Sequence, residues 1–105
     1  MRLLDSSGLL VVAAGSTQAT ATLLINGMNG ILTAAAGTGV ILNANSLTSD
    51  CQVVYNGGAN AVKVYPPVGS KINGLPTNTG MTLGTNSAAQ FWFLNDTQVI
   101  GVLSA

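Results

Sequence analysis

The chain has 105 residues, of which six are charged: Arg2, Asp5, Asp50, Lys63, Lys71 and Asp96. Histidine and glutamate are absent, cysteine occurs once, and the net charge is zero. These counts exclude Ser–His–Asp and Cys–His catalysis, an internal disulfide, and nucleic-acid or anionic-membrane surfaces, which need clustered Lys and Arg.

Helix is disfavoured along the whole chain. It carries 13 glycines, and each interior glycine costs a helix about 1 kcal/mol relative to alanine. Short runs of Val, Ile, Thr and aromatics between turn residues read instead as strands. Arg2 and the apolar run 9–14 have the order of a signal peptide. Asp5-Ser6-Ser7-Gly8 interrupts it, and the run is far short of the roughly 18 residues that cross a membrane. Residues 1–8 are expected to form an extended arm. Strands are then expected over 9–13, 19–25, 31–35, 39–43 and 51–56, and over 61–65, 70–73, 81–83, 88–94 and 97–103. Asn-Gly pairs at 26–27, 29–30, 56–57 and 73–74 read as tight hairpin turns, because both residues tolerate positive φ. Spacing of eight to twelve residues predicts an all-β single domain, an antiparallel β-sandwich or barrel-like roll. A chain of this size buries roughly 65% of its unfolded surface, enough for one core.

The two halves differ in texture. Residues 1–50 contain no aromatic, and all five lie later: Tyr55, Tyr65, Phe91, Trp92 and Phe93. In Ala61-Val62-Lys63-Val64-Tyr65, alternation puts Val62 and Val64 on one face and Lys63 and Tyr65 on the other. Pro66-Pro67 ends that strand, since Pro66 donates no ladder hydrogen bond. In Gln90-Phe91-Trp92-Phe93-Leu94 both faces are apolar. Such a strand needs cover on both sides, from a loop of its own chain or from a neighbouring subunit. A charged content of 6%, against about 25% in ordinary domains, fits either a surface dressed in Asn, Thr, Ser and Gly or, as the preferred reading, one that meets copies of itself or a larger assembly.

Sites of chemistry are scarce. The aspartates at 5, 50 and 96 are far apart in sequence and read as turn or strand-end residues, with Asp96 in the turn of the last hairpin. Zinc wants several Cys or His ligands, and an EF-hand wants a run of acids; neither is present. Gly37-Thr38-Gly39 lacks the third glycine and following helix of a phosphate loop and reads as a turn. Thr20-Ala21-Thr22 is one copy of a threonine pattern that ice-binding solenoids repeat many times. Asn95-Asp96-Thr97 matches the N-glycosylation pattern, as chance allows in an Asn/Thr-rich chain. Cys51 reads as a small packed apolar side chain. Tyr55, Tyr65 and Trp92 are the aromatics available for stacking on a sugar, although packing is the commoner use of such residues.

The segment "VVYNGGANAVKVYPPVGSKINGLP", with "AAGTGVIL" before it and "AAQFWFLNDTQVI" after it, resembles a pattern of small structural proteins of tailed bacteriophages. The resemblance spans roughly residues 17–103 and is densest over 53–76. It implies a β-rich capsid decoration (cement) protein, or a module of a tail fibre or baseplate, and no enzyme activity or cofactor. Decoration is the expectation for a free-standing domain of this length, with localisation on the virion after synthesis in the host cytoplasm. The implied partners are other copies of the chain, as a homotrimer, and the major capsid protein, with no nucleic acid and no membrane. Phe91, Trp92, Phe93, Leu94 and Tyr65 are the expected subunit interface, and Leu3, Leu4, Leu9 and Leu10 the expected capsid-contacting arm. The alternative is a fibre or spike domain that binds host glycans through Tyr65 or Trp92. An enzyme built on three scattered aspartates is the weakest reading.

Overall fold

The computed structural model describes residues 10–25, 27–44 and 50–103. Among them lie ten strands and no helix. The strands are Leu10–Ala13 (β1), Thr22–Leu23 (β2), Met28–Ala34 (β3), Gly39–Ile41 (β4) and Cys51–Asn56 (β5). They continue with Val62–Tyr65 (β6), Lys71–Ile72 (β7), Met81–Leu83 (β8), Ser87–Phe93 (β9) and Gln98–Leu103 (β10). Each expected strand has a counterpart. The largest shifts are at 19–25, which contracts to β2, and at 31–35, which begins three residues earlier as β3.

The pairing departs from an antiparallel sandwich. Six strands form one sheet in the order β1-β3-β5-β9-β10-β7, and four form a second in the order β2-β4-β6-β8. The chain alternates between them, so β1 to β6 wind three solenoid-like coils. Leu10 lies beside Gly30 and Gly30 beside Tyr55, while Thr22 lies beside Val40 and Val40 beside Val64, all in parallel. The winding then reverses. β8 runs antiparallel on β6, β9 antiparallel on β5, and β10 antiparallel on β9, with the short β7 parallel along the outer edge of β10. Three of the eight described strand pairs are antiparallel, so the antiparallel expectation is corrected to a mixed architecture.

The reason lies at the corners. Gly15 (φ 74°) and Gly37 (φ 82°) turn the first two coils, and Asn56 turns the third. These turns carry the chain across to the other sheet instead of folding it back beside itself, yet they use the residue types of a hairpin. Asn29-Gly30 is no turn at all. It sits inside β3, where the buried Asn29 donates from Nδ2 to the Val53 carbonyl at 3.3 Å. Asn73-Gly74 does turn the chain, with Asn73 at φ 52°. Asn26 lies outside the described residues. Along β1 and β3 the register slips: Val11 faces Ile31, but Val12 faces Thr33. Leu32 is the extra residue of a β-bulge, and both Leu32 and Thr33 end up exposed.

The core lies between the two sheets. Ile31, Val54, Phe91, Val99 and Ile72 come from one side, and Val40, Val62, Val64 and Leu83 from the other, all essentially inaccessible to water. Burying each contributes about 1.5–3 kcal/mol. Gly101 pairs with Phe91; a side chain there would press on Ile72, Met81 and the Phe91 ring, each at 3.2 Å. The buried polar groups tie coils together. Gln52 donates from Nε2 to the Leu24 carbonyl (3.1 Å) and accepts from the Asn43 amide (2.8 Å). Asn56 donates from Nδ2 to the carbonyls of Asn60 (2.9 Å) and Leu83 (3.1 Å), and its Oδ1 accepts from the Gly58 amide (3.0 Å).

Candidate interaction surface

Alternation decides what the six-stranded sheet shows to solvent. One set of side chains fills the core, so the other set must point away from it. In this sheet that second set is also largely apolar. Cys51, Trp92 and Ile100 form one row across β5, β9 and β10. Met28, Val53, Gln90 and Val102 form the next, and Leu10, Gly30, Tyr55 and Ala88 a third. Met28 is 53% exposed, Val102 51%, Tyr55 43% and Trp92 43%. Leu10, Val12, Leu32 and Ile100 are exposed on the same strands.

The face is uncharged from β1 to β10. Its first charge is Lys71 of β7, beside Gln98 at the far edge. Its largest side chain has its polar atom satisfied within the sheet, because Trp92 donates from Nε1 to Gln90 Oε1 at 3.3 Å. The half-buried Cys51 thiol is pushed above its ordinary pKa by burial, partly opposed by a backbone hydrogen bond at Phe91.

The outer face of the four-stranded sheet is dressed differently. The Tyr65 ring lies over Gly39 and Gly80, where a β-carbon would come within 2.9 Å of it, and its hydroxyl donates to the Ser16 carbonyl at 3.3 Å. Lys63 and Thr82 stand beside it, paired across β6 and β8. Here an aromatic covers its own backbone.

The expected interface residues are thus divided. Phe91 and Phe93 are core residues, at 0% and 5% exposure, and are corrected from interface to interior, since odd positions of β9 face the second sheet. Trp92 and Leu94 are exposed. Tyr65 belongs to the opposite side of the molecule. Of the expected arm, Leu10 is exposed in β1, and Leu3, Leu4 and Leu9 lie outside the described residues. Met28, Val53, Tyr55, Ile100 and Val102 were not expected on this surface. For Ile100 and Val102 the signal was the one read at 90–94, apolar residues on both alternating faces of 98–103, whereas in 51–56 the face of Gln52, Val54 and Asn56 is mostly polar and Met28 lies in β3.

A separate cleft of about 210 Å³ opens near Ser70 and Asp96, below the roughly 300 Å³ at which small-molecule sites usually begin. Ser70 Oγ donates there to the Asp96 carbonyl at 3.0 Å. Among the described residues, no three His, Cys, Asp or Glu side chains gather as metal ligands, and no helix is long and apolar enough to cross a membrane. No protein-family model, no curated protein and no solved structure matches the chain.

Proposed function

We propose that the chain is a non-enzymatic structural protein of a phage particle, a capsid decoration protein that stabilises the head by bridging capsid subunits. The observation that carries this reading is the uncharged, apolar outer face of the six-stranded sheet. Soluble monomers rarely expose a contiguous apolar patch beyond a few hundred Å², so a sheet that is apolar on both faces fits a part of a larger assembly. The resemblance over residues 53–76 supplies the kind of assembly. The mechanism is mechanical: apolar burial contributes about 25 cal/mol per Å² before the cost of association, and residues 1–8 serve as an arm to the capsid.

The test is direct. Purified chain is mixed with phage heads that lack decoration, and co-sedimentation and heat resistance of the heads are measured. Saturable binding and a raised disruption temperature are expected; heads that neither bind the chain nor gain resistance sink the proposal. Deleting residues 1–8 without loss of head binding removes the arm from it. A second reading, a fibre or spike domain that holds host glycans, is favoured by one observation, the exposed Trp92 ring. It requires glycan binding that Trp92→Ala abolishes while the far-UV spectrum stays unchanged.

A further inference from the structure

We infer that the outer face of the six-stranded sheet is where one copy of this chain packs on another, with Trp92, Met28, Val53, Tyr55, Ile100 and Val102 at the contact. The inference rests on reading that face as a surface built to be covered, and it names the occupant.

Three observations select a second copy. The first is charge. The face carries no charged side chain across β1, β3, β5, β9 and β10, and Lys71 with Gln98 stand only at its edge. A partner must be equally uncharged over the same span, or it buries unpaired charge. A second copy offers that match, and with zero net charge the two approach without overall repulsion.

The second is area. Five strands spaced about 4.8 Å apart and averaging about 20 Å in length give a face of about 500 Å², and a facing pair hides about 1,000 Å² in total. That reaches the size at which specific interfaces begin, about 1,000 Å².

The third is composition. Contact cores are depleted in charge and enriched in Trp, Tyr and Met. This face presents one of each, Trp92, Tyr55 and Met28, and the Trp92 indole N–H brings its own acceptor in Gln90. Its burial therefore leaves no orphaned donor.

The test is solution mass, by light scattering behind a sizing column, for the wild type and three variants. Met28→Lys and Val102→Lys add charge at exposed positions of the face. Thr82→Lys adds it to the exposed outer side of the four-stranded sheet. A wild-type mass that is a small multiple of 10.5 kDa is expected. Both face variants should fall to single-chain mass with an unchanged far-UV spectrum, and Thr82→Lys should keep the wild-type mass. A wild type that stays single at its highest attainable concentration overturns the inference, as does an oligomer that survives both face variants. The head-binding experiment separates the two proposals. A single chain that binds heads overturns self-contact and leaves decoration standing. An oligomer that ignores heads supports self-contact and removes decoration.

Discussion

Asn56 shows how much one polar side chain does in this fold. It ends β5, is fully buried, and holds the third corner, the β8 backbone and its own turn through three hydrogen bonds. Asn56→Ala should cost about 3 kcal/mol, since unsatisfied buried groups cost about 1–3 kcal/mol each; a lower urea midpoint at constant slope is the reading. Tyr65 and Gly80 form a pair of another kind. A β-carbon at Gly80 meets the Tyr65 ring at 2.9 Å and Lys63 Cδ at 3.4 Å. Gly80→Ala should destabilise by about 1–3 kcal/mol by overpacking, and much of that should vanish in a Tyr65→Ala background, measured as a double-mutant cycle. Gly39→Ala should not be rescued that way, because the Lys63 carbonyl lies 2.7 Å from its β-carbon position. Cys51 gives a pH prediction. Burial favours its neutral thiol, so its contribution to stability is present below the thiol's unfolded pKa and is lost as pH rises through the raised folded value. Alkylation of the native chain should accelerate at a more alkaline pH than alkylation of the urea-unfolded chain.

At the scale of elements, each strand was legible because its signals are local. Val62-Lys63-Val64-Tyr65 alternates, Pro66 stops it, and β6 ends at Tyr65. Strand direction was not legible, because it depends on where a turn delivers the chain. Ala13-Ala14-Gly15 and Ala34-Ala35-Ala36-Gly37 each follow an apolar strand and mark successive corners, with Ala13 beside Ala34 in register. The coils differ in length, however, so no fixed period announced them. Asn29-Gly30 misled for a related reason: tertiary hydrogen bonding overrides the turn preference of the pair. The turn from β8 to β9 obeys local rules. Asn86 sits there at φ 59°. Asn86→Gly should change stability by no more than about 0.5 kcal/mol, while Asn86→Val, forced into the left-handed region, should cost about 1–2 kcal/mol; thermal melts of the two variants check both.

At the scale of the molecule, the solenoid and its reversed layer depend on each other. β8 and β9 cover the edges of β6 and β5 and bring Leu83, Ala89 and Phe91 into the core. Stacked coils need such terminal layers to finish their buried surface. A chain ending after Gly80 should show no cooperative thermal transition by circular dichroism, whereas the full chain should show one. The surface residues were only half legible. The two-faced character of 90–94 was plain in the sequence, but deciding that Phe91 turns inward and Trp92 outward required knowing on which side the second sheet lies.

The contrast between the two outer faces gives the molecule a direction. Tyr65 blankets Gly39 and Gly80 on one side, beside Lys63. On the other, Trp92 and its apolar neighbours stand uncovered. One side sets Lys63 and Thr82 beside the exposed Leu23, and the other carries no charge across β1, β3, β5, β9 and β10. At a boundary between water and a less polar phase, a single chain released from its partner copy would settle with its Trp92 face toward the less polar side. A layer of these molecules on an apolar support would show water its Lys63 side, and the tryptophan fluorescence of that layer would shift to the blue.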